Sequence, residues 1–225
     1  MNRILPALLL AAALGGAAHA DLVGSWAALG ATTHYGGVVF NATASGANDI
    51  LLSGLFNLNL DVNSLDATDT TESIGVYYRP GSYVGTVDSK AGWTLLGTGT
   101  ASVAGDGVRS AVNVGGTLLI PRGQTYGLAI FALDGGATGI GYSTATGSSS
   151  AAPTTTYSDA NLTLGLGVAK GFGLASDPFA VHTISNQRAW RGEVAYSVAQ
   201  PVPEPASLAA LAIGGVALLR RRRRA

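Results

Sequence analysis

The sequence predicts an all-β protein, an antiparallel β-sandwich or jelly-roll-like ectodomain followed by a single short C-terminal transmembrane helix. Apolar and polar side chains alternate strictly at residues 58–63, and the same pattern returns at residues 194–198. This period of two is typical of a strand with one buried face. Residues 21–200 have almost no 3.6-residue periodicity. Short strands without intervening helices favour a sandwich over a parallel α/β sheet.

Further strand candidates are short segments rich in Val, Thr, Tyr, Leu and Ile, which are enriched in strands. They span residues 73–79, 93–100, 107–114, 125–133, 139–144 and 160–168. Turn sequences containing Gly, Pro or Asp separate them, at residues 79–82, 104–107, 121–123 and 133–136. The small hydroxylated residues at 144–156 predict a long exposed loop, because they offer little apolar surface to bury.

The composition narrows the function classes. The chain has 225 residues, of which 47% are apolar and 12% charged, and its formal net charge is zero. Residues 21–200 hold seven basic and twelve acidic side chains, a net charge of −5. An acidic body argues against nucleic-acid binding, which needs a basic surface. The absence of cysteine excludes disulfides, thiolate catalysis and thiolate metal sites.

Residues 1–20 have the three-part layout of a secretory signal peptide. Arg3 provides the positive charge, residues 4–13 form an apolar run, and Ala18 and Ala20 place small side chains before Asp21. This pattern predicts cleavage by signal peptidase immediately before Asp21. The alternative, an N-terminal membrane anchor, is disfavoured because the run is shorter than the roughly 20 residues that span a bilayer.

The C-terminal 25 residues form a second targeting signal. Three prolines within residues 201–205 predict an extended and exposed backbone. Residues 206–219 form an uncharged apolar stretch that would measure about 21 Å as a helix. Five arginines follow it, and they fix the orientation with the basic end in the cytoplasm. These are Arg220, Arg221, Arg222, Arg223 and Arg224.

This ordered triple of Pro-Glu-Pro, short apolar helix and terminal arginine cluster resembles the PEP-CTERM sorting signal. The residues that carry the tripeptide motif are Val202, Pro203, Glu204, Pro205, Ala206 and Ser207. The resemblance implies recognition by an exosortase, an integral-membrane cysteine transpeptidase of Gram-negative bacteria. It also implies transient anchoring in the inner membrane, delivery to the cell surface or extracellular matrix, and an association with exopolysaccharide, biofilm and floc formation. The alternative is a permanent single-span anchor.

Catalytic motifs are missing from the body. Residues 147–151 come nearest to a nucleophile elbow, but they lie in the low-complexity loop without a strand–turn–helix context. His34 and His182 occur without a His-Glu-x-x-His pattern. The sequence therefore predicts a protein that is not an enzyme and needs no cofactor.

Two weaker sites are suggested by residue type. Oxygen-bearing side chains between positions 61 and 72 make a calcium candidate, although the loop lacks the glycine of an EF-hand and also fits a polar hairpin connection. They are Asp61, Asn63, Asp66, Asp69 and Glu72. Trp93 and Trp190 are candidates for stacking on glycan, although tryptophans beside strands more often pack in a core.

The sequence thus divides into a signal peptide at 1–20, a β-sandwich ectodomain at 21–200 and a sorting signal at 201–225. The first hypothesis for function is an exported surface or matrix protein with a structural or adhesive role. A carbohydrate-binding module with a defined glycan site is the alternative, and an extracellular hydrolase is a third.

Overall fold

The computed structural model describes residues 21–25, 32–62, 69–136, 138–144, 157–165, 167–173, 176–181 and 183–199. These residues form fifteen strands. The strands are β1 (Asp21–Ser25), β2 (Thr32–Tyr35), β3 (Gly37–Ala44), β4 (Ile50–Val62), β5 (Thr71–Pro80), β6 (Thr94–Ser102), β7 (Arg109–Asn113), β8 (Leu118–Ile120), β9 (Thr125–Ala132), β10 (Thr138–Thr144), β11 (Tyr157–Ser158), β12 (Leu162–Leu164), β13 (Gly167–Lys170), β14 (Thr183–Trp190) and β15 (Gly192–Val198).

Every pairing between these strands is antiparallel, and they form one connected network in the order β1-β15-β4-β10-β14-β13-β3-β9-β5-β6. Strands β7 and β8 also pair with β4, β2 pairs with β10, and β12 joins β11 to β3. The described residues contain no helix. The predicted antiparallel all-β class is therefore confirmed.

Strand β4 joins two groups of strands along its thirteen residues. One group is β1, β7, β8 and β15, which residues 50–59 of β4 bring together, and the other is reached through β10. Strand β4 pairs with β15 on one edge, and with β8 and then β7 on the other. Its last residues pair with β10. Gly54 lies between the β8-paired and β7-paired parts at φ +72°. Glycine is favoured there because other residues rarely adopt this conformation.

The main core contains residues from both strand groups. Its largest fully buried members include Phe40 on β3, Phe56 on β4, Ile74 on β5 and Tyr196 on β15. Burying an aromatic or large aliphatic side chain contributes about 1.5–3 kcal/mol. The core therefore ties strands that are far apart in the sequence into one unit.

A second core covers the opposite face of β3, β5 and β9. Phe179 lies at its centre, with its ring 4.8 Å from Phe131 and 5.1 Å from Trp93 between centroids. Val39 and Tyr77 are also buried there. Both faces of the central strands are consequently buried, and all of residues 127–132 in β9 are buried. A strand buried on both faces has an apolar run in place of alternation.

Strand β6 approaches β7 so closely that its glycines have no room for a side chain. A Cβ on Gly97 would overlap the carbonyl oxygen of Val114, and one on Gly99 would overlap that of Asn113. The Gly-Thr-Gly sequence at residues 97–99 thus allows two strand backbones to lie in contact, which is a common reason for glycine within a strand.

We expect Gly97→Ala to destabilise the protein by about 2 kcal/mol or more, because the new methyl group must displace the backbone of Val114, immediately after β7. Gly165→Ala is the matched control. Its Cβ would lie 3.6 Å from Asn41, an ordinary contact. Urea denaturation of both variants measures the difference. Equal free energies of unfolding for Gly97→Ala and Gly165→Ala would contradict the close approach of β6 and β7.

Candidate functional site

The two ends of the body lie together at one end of the strand network. Asp21 in β1 is opposite Tyr196 in β15, and Val198 at the end of β15 is opposite Ile50. The backbone N–H of Ala199 then donates to the carbonyl oxygen of Asp49 at 2.9 Å. We call this the tail end. It also includes the turns at residues 45–49 and 121–124 and the connection around Asp159.

Carboxylates at the tail end are held by hydrogen bonds. Asp49 accepts from the backbone N–H of Arg122 at 2.8 Å. Asp159 accepts from the Tyr196 hydroxyl and from the N–H groups of Asn161 and Leu162, the latter two at 2.8 Å. Burial acts to raise the pKa of Asp159, but these hydrogen bonds outweigh it and lower the pKa. Asp159 therefore remains charged while it fixes β15 to the turn between β11 and β12.

The opposite end of the network, which we call the distal end, is acidic. It contains the end of β4, the start of β5 and the turns after β6 and β9. Its acidic side chains are Asp61, Asp69, Glu72, Asp106 and Asp134. Of the residues predicted as calcium ligands, Asp61, Asp69 and Glu72 lie here, and Asn63 and Asp66 fall outside the described residues. Asp106 and Asp134 also lie at this end, in the turns at residues 104–107 and 133–136. The sequence predicted these turns but gave no sign that their acidic side chains lie beside the candidate calcium ligands.

Glu72 is the buried member of this group of acids. Its side chain is completely buried, and Oε1 accepts from the backbone N–H of Asp134 at 3.0 Å. Oε2 is buried and has no hydrogen-bond partner among the described residues. Burial, reinforced by the charges of Asp134 and Asp69, raises the pKa of Glu72 to about 7. The neutral carboxyl group is favoured because an unpaired buried charge is costly.

His34, Asn59 and Asp106 form a polar cluster beside this corner. Asn59 is completely buried in β4; it donates to Asp106 at 2.9 Å and accepts from the N–H of Gly107 at 2.8 Å. His34 Nε2 lies 3.6 Å from Asp106 Oδ1, and Arg191 lies 3.4 Å from the same oxygen. Burial lowers the pKa of His34 despite the opposing charges of Asp106 and Asp61. These contacts hold the turn between β6 and β7 against β4.

The two candidate glycan-stacking tryptophans are core residues, with 7% of Trp93 and 5% of Trp190 exposed. Trp190 stacks on Phe40 with ring centroids 4.9 Å apart. Trp93 packs on Phe179 and donates from Nε1 to the carbonyl oxygen of Thr86 at 3.0 Å. Stacking on a sugar requires an open ring face, which neither indole presents in this arrangement.

The chain leaves the tail end after Ala199, where the predicted targeting segment follows. Residues 201–224 match the family described as the PEP-CTERM protein-sorting motif. This chain carries a PEP-CTERM sorting signal. No curated protein is significantly similar to the chain. The match confirms the resemblance drawn from the Pro-Glu-Pro motif, the apolar stretch and the arginine cluster.

The PEP-CTERM signal indicates an exported protein that an exosortase processes at the membrane on the way toward the cell surface. The signal-peptide residues Ala18 and Ala20, the sorting motif and the arginine cluster lie outside the described residues. Asp21, the predicted first residue after signal cleavage, begins β1. The part of the chain that the structure describes has no helix able to cross a membrane, and the predicted transmembrane segment 206–219 lies beyond it.

Calcium binding to this PEP-CTERM protein stays a prediction. Across the described ranges, no three His, Asp or Glu side chains converge as a metal site would require. Asp69 accepts from the Thr138 hydroxyl at 2.8 Å, and Glu72 accepts from a backbone amide. Both acids thus already serve to hold the start of β5 and the turn between β9 and β10 together.

Sequence reasoning missed one further ion pair, between the buried Lys170 on β13 and the exposed Asp88 in the segment between β5 and β6. The Lys170 side chain has no exposed surface, and its Nζ lies 2.7 Å from Asp88 Oδ1. The residues are 82 positions apart, so no local pattern could relate them. Their pairing holds the segment that carries Val87 over the second core.

We expect Glu72→Gln to stabilise the protein at alkaline pH. The folded-state pKa of about 7 lies above the ordinary value of 4.5, so the folded state binds the proton more tightly. Stability should therefore fall as pH rises from about 4.5 to 7, by an amount on the order of 2–3 kcal/mol. Glu72→Gln should remove this fall, which urea denaturation between pH 4.5 and 8.5 measures.

Glu193→Gln is the matched control, because the pKa of Glu193 is shifted in the opposite direction to that of Glu72. The Arg109 guanidinium, with its nearest nitrogen 2.7 Å away, lowers the pKa of Glu193. Its stabilising contribution is therefore present at neutral pH and is lost in acid. Glu193→Gln should destabilise the protein at pH 7 by about 1 kcal/mol. If the free energy of unfolding of Glu72→Gln fell with pH as steeply as that of the natural protein, titration of Glu72 would not be the cause of the fall.

Proposed function

We propose that this protein is a structural or adhesive component of the cell surface or extracellular matrix of a Gram-negative bacterium, with no enzymatic activity. The observation that carries the proposal is the PEP-CTERM match at residues 201–224. The resemblance links such proteins to exopolysaccharide and biofilm, and we extend that link to this chain. The body would be a β-sandwich, in keeping with a core shared between the strand groups that β4 joins.

The sorting tail would act in three steps. A signal peptidase releases the chain before Asp21, and the apolar residues 206–219 then hold it in the inner membrane. The prolines at 201, 203 and 205 keep the backbone extended, so that an exosortase can bind it without first unfolding a regular element. Cleavage near the motif would finally release the body toward the surface.

The chemistry of the body supports a passive role. The buried Glu72 accepts from a backbone amide, and Glu193 binds Arg109 and Asn57. Asp106 supports the turn over β4. These groups contribute to the stability of the fold. The burial of Trp93 and Trp190 leaves the alternative of a carbohydrate-binding module without the stacking surface on which it was based.

We expect the double variant Pro203→Ala and Glu204→Ala to block processing. The substitutions remove the fixed φ and the single acidic group of the tail. Full-length protein should accumulate in the inner membrane at least tenfold over the natural chain. Immunoblotting of membrane and surface fractions from the native bacterium measures this ratio.

Pro201→Ala is the control, because it removes a proline from the same segment and leaves the Pro-Glu-Pro tripeptide intact. It should be processed at the natural rate. Normal release of the double variant would contradict the assignment of the tripeptide as the recognised element.

A further inference from the structure

The register of the sheet brings both predicted membrane-linked segments to the same end of the body. Asp21, where the signal peptide joins the body, is paired with Tyr196. Ala199, two positions before the sorting signal, donates its backbone N–H to the carbonyl oxygen of Asp49 at the same end. A chain with β1 beside any other strand could have placed these points at opposite ends. Antiparallel pairing of β1 with β15 fixes them together.

The connection between the body and the tail is short compared with the body. Ala206, the first residue of the apolar stretch, is seven positions after Ala199, so their Cα atoms lie at most about 25 Å apart. Strand β4 runs from the tail end to the distal end over thirteen residues. At about 3.3 Å per residue it separates the two ends by roughly 35–40 Å.

We propose that the tail end of the body lies against the lipid surface while the sorting tail is inserted, with the acidic distal end directed away from the membrane. The proposal rests on the membrane insertion proposed above. A tether of at most about 25 Å excludes the inverted orientation, because the distal end would then have to enter the bilayer. The same orientation holds before signal cleavage, because the N-terminal segment also leaves from the tail end.

Carboxylates lie at both ends of the body, so the length of the tether sets this orientation and charge does not. At the tail end, Asp49 and Asp159 accept hydrogen bonds from the protein, and the Arg122 side chain is exposed. The distal end carries Asp61, Asp69, Asp106 and Asp134, and Asp106 is paired with Arg191. The exosortase would therefore meet the extended motif beside the tail end, whereas the distal end would face partners outside the membrane.

Energy transfer between a single labelled cysteine and the lipid surface tests the orientation. The chain contains no cysteine, so one substitution gives one label. Ala47→Cys lies in the turn between β3 and β4 at the tail end, and Ala104→Cys lies in the turn between β6 and β7 at the distal end. Both alanines are exposed. The chain from Asp21 to Ala225, which lacks the predicted signal peptide and so has the sorting tail as its one predicted membrane segment, would be inserted into vesicles of phosphatidylethanolamine and phosphatidylglycerol that carry acceptor dyes on their headgroups.

Transfer from Ala47→Cys should be several times that from Ala104→Cys. A flexible insert of twenty Gly and Ser residues between Ala199 and Gln200 should abolish most of this difference, because the tether then no longer restricts the body. Equal or reversed transfer in the natural-length chain would overturn the orientation. An unchanged difference in the extended chain would overturn the tether as its cause.

Flotation of the vesicles separates this proposal from the one on which it rests. Protein that floats with the vesicles has an inserted tail, so the transfer ratio alone then decides the orientation. Protein that remains in the dense fraction would overturn the proposed insertion, and the orientation with it.

Discussion

The hydrogen bonding of β4 along both edges is the constraint on which the rest of the structure depends. Because β4 pairs with β15, β7, β8 and β10, it connects the strands that carry the termini to those that carry the second core. Its start lies beside the departure point of the tail, and its end lies in the acidic corner. The length of this one strand thus sets the distance between the tail end and the acidic distal end.

The distribution of buried polar groups follows from that separation. At the distal end, Asn59 and Asp106 hold a turn onto β4, and Glu72 is closed in by the turn that follows β9. At the tail end, Asp159 holds β15 through the Tyr196 hydroxyl. The bonds at both ends tie turns to strands. The body is therefore stabilised without disulfides, in agreement with a chain that contains no cysteine.

Local patterns predicted some elements well and others poorly, for physical reasons. Alternation located the end of β4 and most of β15, and the predicted segments at 73–79, 125–133 and 139–144 coincide closely with β5, β9 and β10. Strands β1, β2, β3, β8, β11 and β14 were missed, and the segment predicted at 160–168 divides between β12 and β13. Burial on both faces gives β3 no alternating pattern. Burial is the main cause of the raised pKa of Glu72, and the turn whose Asp134 N–H bonds to it lies 62 residues away, so no local pattern reveals this environment. The sorting signal could be predicted from the sequence because its recognition elements are contiguous in the chain.

The central claim is that the protein is an exported body released from a temporary tail. Intact mass and terminal peptide mapping of the protein from surface and membrane fractions of its native cells test this claim most directly. The account predicts a surface form that begins at Asp21 and ends within residues 203–207, with any additional mass identifying a group attached at the new C-terminus. A protein found only in the membrane and still ending at Ala225 would contradict it.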